Sequence, residues 1–197
     1  MEGWQHLEAV APDERILDRV GLRQQAFALA VSSPTPNKNF NAIVQALSLL
    51  GDDAPACAVA GGGDRAIFNK IDLGASAMIP LGYVSDAELK ALYQNAACFI
   101  FPSFYEGFGI PPLEAMACGC PVIASTAAAV REVCGDAPLY FDPHRPAELA
   151  ACIRKVFADS DLRKRMSASG IERARHYSWT EGARLNLGFI REALCNT

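Results

Sequence analysis

Six short apolar runs, at 26–31, 57–60, 77–80, 97–101, 121–124 and 138–141, alternate with stretches of helical periodicity, and this alternation limits the chain to few folds. Strand-helix repetition is the pattern of βαβ units, so the expectation is an α/β fold with an open parallel sheet flanked by helices. Phe40, Ile43, Val44 and Leu47 recur at helical spacing ahead of Gly51,. Ser85-Asp-Ala-Glu88 reads as a capping box opening the helix that carries Leu89, Leu92 and Tyr93,. From Pro146 onward the pattern is wholly helical. Leu149, Ile153, Val156 and Phe157 form one stripe, and Ala183, Leu187, Ile190 and Leu194 form the last, in a C-terminal helical extension opened by Ser178-Trp-Thr-Glu181,.

The stretch Pro102-Ser-Phe-Tyr-Glu-Gly-Phe-Gly-Ile-Pro-Pro-Leu-Glu-Ala-Met-Ala-Cys-Gly119 carries the chemistry. Pro111 and Pro112 are tolerated only in a first helical turn, and Gly119 followed by Pro121 is a helix stop, so a helix starts near Ile110,. Glu114 then lies in or near the first turn and Glu106 in the loop before it. Free N–H groups at a helix start favour anions by about 0.3–1 kcal/mol each at exposed sites, and Gly107 and Gly109 let the backbone approach a ligand,. A carboxylate cannot usefully touch phosphate, but it accepts hydrogen bonds from ribose or sugar hydroxyls. Spacing alone leaves open a blander role, with Glu114 complementing the helix dipole and Glu106 a solvated loop charge. Lys38 follows the first strand, where open α/β sheets bind ligands; an ammonium there can neutralise charge on a departing diphosphate, while taken alone a lysine beside a helix start is more often a solvated surface charge,.

These residues resemble a known family. The run Glu106-Gly-Phe-Gly-Ile-Pro-Pro-Leu-Glu114-Ala-Met-Ala-Cys-Gly-Cys-Pro-Val-Ile-Ala-Ser125 is similar to the two-glutamate signature of retaining glycosyltransferase family 4, which includes sucrose synthase and bacterial lipopolysaccharide mannosyltransferases; the likeness extends from about Phe27 to Trp179. The resemblance implies the glycosyltransferase B fold: two Rossmann-like domains with the active site between them, the C-terminal one binding the nucleotide sugar. With 197 residues there is room for one such domain, so the expectation is the donor-binding half, its acceptor contacts coming from an N-terminal domain outside this chain,. Residues 1–22 read as an approach segment, with a short helix near 13–20. Residues 23–177 read as the nucleotide-sugar domain, and 178–197 as a helix crossing to the acceptor domain.

By the same resemblance Glu106 and Lys38 are the catalytic residues, Glu106 holding hydroxyls of the transferred sugar and Lys38 the diphosphate. Glu114 would hold the ribose. Val31-Ser-Ser-Pro-Thr-Pro-Asn-Lys-Asn39 is similar to the family's phosphate-binding loop, with Ser33 where many members carry an arginine. Amides of Gly107, Phe108, Gly109 and Ile110 would then supplement Lys38. Gly82-Tyr-Val84 resembles the segment near the nucleoside base, and both a pocket-lining and a core role are open to Tyr83 and Val84. The reaction implied is retaining transfer from a nucleoside diphosphate sugar, GDP-mannose or a UDP-sugar, to a hydroxyl of a saccharide or lipid-linked acceptor, without cofactor or metal. A non-catalytic nucleotide-sugar-binding module, and an epimerase or phosphorylase on the same fold, stand as alternatives.

Other features point elsewhere. Gly61-Gly-Gly63 lacks the dinucleotide fingerprint and reads first as a tight turn,. Asp159-Ser-Asp161 formally matches a metal motif of another glycosyltransferase class, but lies between amphipathic helices and reads as a cap,. His6, His144 and His176 show no ligand spacing and no acid/base partner nearby, which makes each a surface residue,. Cys118 and Cys120 lack a second pair at zinc spacing, and most of the seven cysteines sit in apolar segments as reduced thiols do,. A net charge of −4 offers no basic footprint for nucleic acid, and no apolar run reaches the roughly 20 residues of a spanning helix,. The expected location is cytoplasmic, with at most peripheral association at the inner face of a membrane.

Overall fold

The computed structural model describes residues 5–31, 35–61 and 77–195. Its centre is a six-stranded sheet in the order β3-β2-β1-β4-β5-β6, every neighbouring pair parallel. The strands are β1 (Phe27–Val31), β2 (Ala56–Ala60), β3 (Met78–Gly82), β4 (Cys98–Phe101), β5 (Val122–Ser125) and β6 (Leu139–Phe141). Each expected apolar run is therefore a strand, with ends shifted by a residue or two. Ser33 lies outside the described residues, as do Gly62, Gly63 and the helix expected after them.

Alternation along each strand divides the core into two layers, because successive side chains leave a strand on opposite faces. Phe27, Leu29, Ala58, Ala60, Phe99, Phe101, Val122 and Ala124 share one cluster with Leu92, Tyr93, Leu113, Met116, Val130 and Val133. Those partners sit on the helices Asp86–Asn95, Ile110–Ala117 and Ala128–Cys134. Ala28, Ala30, Cys57, Val59, Cys98, Ile100 and Ile123 face the other way, onto Phe40, Ile43, Leu47, Leu149, Ile153 and Val156 of the helices Phe40–Leu50 and Pro146–Ala158. Burial on both faces explains why these strands read as continuous apolar runs.

Residues 5–22, the expected approach segment, dock onto the first layer through Leu7, Ile16, Leu17 and Leu22, each at most 2% exposed. The short helix is Arg15–Arg19, and another turn spans Gln5–Glu8. Lys90 fastens this segment, donating from Nζ to the carbonyls of Leu7 (2.7 Å) and Val10 (2.8 Å). The Ser85–Glu88 capping box forms as expected. Asp159 caps the helix Ser160–Arg175, its carboxylate accepting from the Leu162 N–H at 2.8 Å, and Asp161 pairs with Lys164. On the helix Trp179–Cys195, Leu187, Phe189, Ile190 and Leu194 are exposed, while the Glu181 side chain of the expected capping box lies outside those described.

Asn39 joins the loops beyond the sheet. It is 8% exposed and left-handed at φ 51°, a conformation asparagine tolerates better than other branched residues,. Its Nδ2 donates to the carbonyls of Pro102 (3.1 Å) and Pro143 (2.9 Å), which tethers the loop after β1 to those after β4 and β6. Asn39→Ala removes both bonds and keeps the unfavourable φ, so we expect a loss of about 2–4 kcal/mol of unfolding free energy at unchanged m-value. Asn39→Gly should lose less. Urea titration checks this, and an alanine variant as stable as the parent would contradict it.

Candidate functional site

The strand order reverses direction between β1 and β4. Crevices of open α/β sheets form outside the carboxyl ends of the strands at such a switch point. The loops that meet there carry Lys38 and Glu106. Lys38 ends the 3-10 turn Pro36–Lys38 after β1, and Glu106 lies in the loop between β4 and the helix Ile110–Ala117. The Phe104 N–H donates to the Asn37 carbonyl at 2.9 Å, so the two loops are joined by backbone as well as by Asn39. Lys38 Nζ then reaches Glu106 Oε1 at 2.7 Å, with only 22% and 12% of the two side chains exposed. The ammonium also stands 5.6 Å from the Phe101 ring centroid. Two groups expected to act on one ligand thus already touch.

The helix that follows begins at Ile110, as expected, with Gly109 as its cap at φ 105°, where a side chain would be strained. Pro111 and Pro112 have no N–H, so the donors that this turn can offer an anion are those of Gly107 to Ile110,. Gly107 is exposed, Gly109 buried and Ile110 half-buried, while Phe108 is exposed and stands edge-on to Tyr177 at 5.7 Å. Gly170 on the helix Ser160–Arg175 allows close packing beneath, since a Cβ there would sit 3.1 Å from Met116 Cγ.

Glu114 falls at the fifth residue of the helix, and its side chain is 12% exposed. The Tyr93 hydroxyl donates to its Oε2 at 3.2 Å, and His6 Nε2 lies 4.0 Å from its Oε1. Burial raises the carboxyl pKa above its ordinary value, against the opposing pull of His6 and the Tyr93 hydrogen bond. Neither glutamate is a solvated charge, since Glu114 is enclosed in this way and Glu106 is equally buried and paired with Lys38. His6 corrects the expectation of a surface residue without partners, because it is half-buried and also 4.0 Å from Asp86 Oδ1. His144 is exposed and stacks on Phe104 at 4.9 Å.

Of the residues expected near a base, Tyr83 is 83% exposed and so not part of the core, whereas Val84 is half-buried against it. Gly61 follows β2, its N–H donating to the Gly82 carbonyl at 2.9 Å. The described cysteines are free, and burial pushes the thiols of Cys57 and Cys134 up to about 12 and that of Cys118 to about 11, which leaves them poor nucleophiles,. Asn39, Tyr93 and His6 were not legible as site residues. Tyr93 had one signal, a hydroxyl on an otherwise apolar helix stripe. Two other concavities lie elsewhere, one at the amino ends of β1, β4 and β5 beside Arg163 and Lys164, one between Leu7, Lys90 and Cys118. The lining of the first has cations but no carboxylate, and in the second, which holds Glu8 as well as Lys90, the ammonium is spent on the carbonyls of Leu7 and Val10. No helix among the described residues is long and apolar enough to cross a membrane.

The profile of the family described as Glycosyl transferases group 1 matches residues 14–173. O-antigen chain mannosyltransferase B of Escherichia coli is 35% identical over 172 residues, covering 83% of this chain and 45% of that protein. The chain spans less than half the length of the curated relatives it matches. In fold it is similar to a sucrose-phosphate synthase from Thermosynechococcus elongatus (TM-score 0.79, 23% identity, 96% of this chain and 51% of that one). A glycosyltransferase from Rickettsia africae ESF-5 is likewise similar (TM-score 0.85, 23% identity, 98% and 55%). Both are fold likenesses.

A carboxyl whose pKa is raised by folding binds its proton more tightly in the folded state. It therefore favours folding below the unfolded pKa and loses that contribution as pH rises through the folded value,. Glu114→Gln removes the burial of charge, so at neutral pH the variant should unfold at higher denaturant than the parent, and the gap should close as pH falls below about 4.5. Denaturant titrations at several pH values check this. A glutamine variant less stable than the parent at neutral pH would contradict it.

Proposed function

Because the chain belongs to the glycosyl transferases group 1 family, we propose that it is the donor-binding half of a retaining glycosyltransferase that moves a glycosyl group, mannose in the first instance, from a nucleoside diphosphate sugar to an acceptor hydroxyl. The observation that carries this reading is the Lys38–Glu106 pair, 2.7 Å apart at the switch point and beside the amides of Gly107 to Ile110. An ammonium and loop amides suit a diphosphate, and a carboxylate suits sugar hydroxyls. Mannose and GDP-mannose are favoured over a UDP-sugar by the likeness to O-antigen mannosyltransferases.

In the proposed step the bond from the anomeric carbon to the phosphate oxygen breaks, while the acceptor oxygen bonds to the same face of that carbon. The acceptor's proton passes to the departing phosphate. Lys38 balances charge that grows on the phosphate, and Glu106 fixes the sugar through its hydroxyls, so the protein acts by position and fixed charge. Glu114 would accept from ribose hydroxyls. Ser33 would add a hydroxyl to the phosphate loop, and Tyr83 and Val84 would border the base. No metal or cofactor enters the scheme. A separate N-terminal domain would supply the acceptor contacts, and the exposed Leu187, Phe189 and Ile190 would give it an apolar seat,.

Hydrogen bonds involving charged groups contribute about 1.5–3 kcal/mol, or roughly 10- to 100-fold in affinity. Calorimetric titration with guanosine, GDP and GDP-mannose, and with the uridine series, should show Lys38→Ala weakening diphosphates by about that factor while leaving the nucleoside unchanged. Glu106→Ala should remove the preference for the nucleotide sugar over the nucleotide. Equal losses for nucleoside and diphosphate in Lys38→Ala, or an unchanged preference in Glu106→Ala, would contradict the assignment.

A further inference from the structure

Glu114 is held by two groups from outside its own helix. Tyr93 is fully buried, its ring set edge-on to Phe99 at 5.4 Å, and its hydroxyl donates to Glu114 Oε2 at 3.2 Å. His6 presents Nε2 at 4.0 Å from Glu114 Oε1 and from Asp86 Oδ1, bridging the helices Asp86–Asn95 and Ile110–Ala117. The turn carrying His6 is anchored, since Leu7 is 2% exposed, Lys90 binds the Leu7 and Val10 carbonyls, and Gln5 Nε2 reaches the Tyr177 carbonyl at 3.4 Å.

We propose that His6 and Tyr93 are positioning residues for Glu114, so that the N-terminal segment builds part of the ribose subsite of a nucleoside diphosphate. This rests on the reading of Glu114 as the ribose acceptor. A carboxylate with one oxygen fixed by a phenol and the other facing an imidazole has its remaining lone pairs in set directions. Among the described residues, Asp86 and Glu114 face the imidazole, Lys90 is occupied by carbonyls of the His6 segment, and Cys118, which caps the C-terminus of Glu114's helix, stays a thiol because burial pushes it up to about 11. Burial also favours the neutral carboxyl of Glu114, which is a poorer acceptor of two hydroxyls than the anion,. The charge that His6 can carry pulls the other way, so His6 both faces the carboxylate and favours its ionised form against burial.

The test compares GDP and UDP with their 2′,3′-dideoxy forms by calorimetry on the full chain. The affinity ratio of each pair isolates the ribose hydroxyls and cancels the diphosphate's own titration. We expect a parental ratio of about 10- to 100-fold that falls close to one in Glu114→Ala. His6→Gln and Tyr93→Phe should each lower the ratio by roughly 3- to 10-fold with the dideoxy affinity unchanged. His6→Gln alters a half-exposed side chain, so the test survives if Tyr93→Phe folds poorly. A parental ratio in His6→Gln, or parallel losses for both forms of the nucleotide, overturns the positioning role and leaves the ribose reading standing. A parental ratio in Glu114→Ala overturns both.

Discussion

Parallel pairing of β1 with β4 is the constraint on which the site depends. Ala28 pairs with Cys98 and Leu29 with Phe99, which sets the two strands side by side although the chain visits β2 and β3 between them. Parallel strands end on the same edge, so the loops after them must meet there. Lys38 and Glu106 are 68 positions apart in sequence, yet share a 2.7 Å contact for this reason. The sheet is covered on both faces, and its strands have almost no polar side chain to spend on a ligand. Recognition falls to the loops, and those loops need ties of their own. Asn39 supplies two, and the Ser125 hydroxyl supplies another by donating to the Ser103 carbonyl.

The pairing of Lys38 with Glu106 has a consequence for selectivity. Each charge already has a partner, so a ligand that draws Lys38 away must also satisfy Glu106, or leave a mostly buried carboxylate without a counter-charge,. A free nucleoside diphosphate offers a new partner only to the lysine. A nucleotide sugar offers phosphate to one and hydroxyls to the other. On the proposed reading, the contact thus weights the site toward the intact donor. Glu114 follows a related logic, since its burial opposes the charge that its proposed role requires, and Tyr93 and His6 offset that opposition.

Much of the fold was legible because it is written in local periodicity. Strands covered on both faces are plain apolar runs, the prolines at 111 and 112 mark a helix start, and Ser85 and Glu88 mark another. The docking of residues 5–22 was not legible: Leu7, Ile16, Leu17 and Leu22 are scattered among charged residues, and their burial depends on surfaces formed far along the chain. The same holds for the site. Lys38 and Glu106 could be named from the loops they occupy and from resemblance. His6 and Tyr93 could not, because nothing in their neighbourhoods refers to Glu114, and only the packing of three separate segments brings them together. Asn39 was hidden for another reason: its side chain bonds two carbonyls, and every residue has one.

The most direct measurement is a crystal structure of the chain soaked with GDP-mannose. Donor density over the carboxyl ends of β1 and β4 is expected, with diphosphate oxygens at Lys38 Nζ and the amides of Gly107 to Ile110, and the lysine drawn away from Glu106. Density in the concavity beside Arg163 and Lys164 at the opposite edge of the sheet, with the Lys38–Glu106 contact intact, would contradict the assignment of a donor site to this end of the molecule.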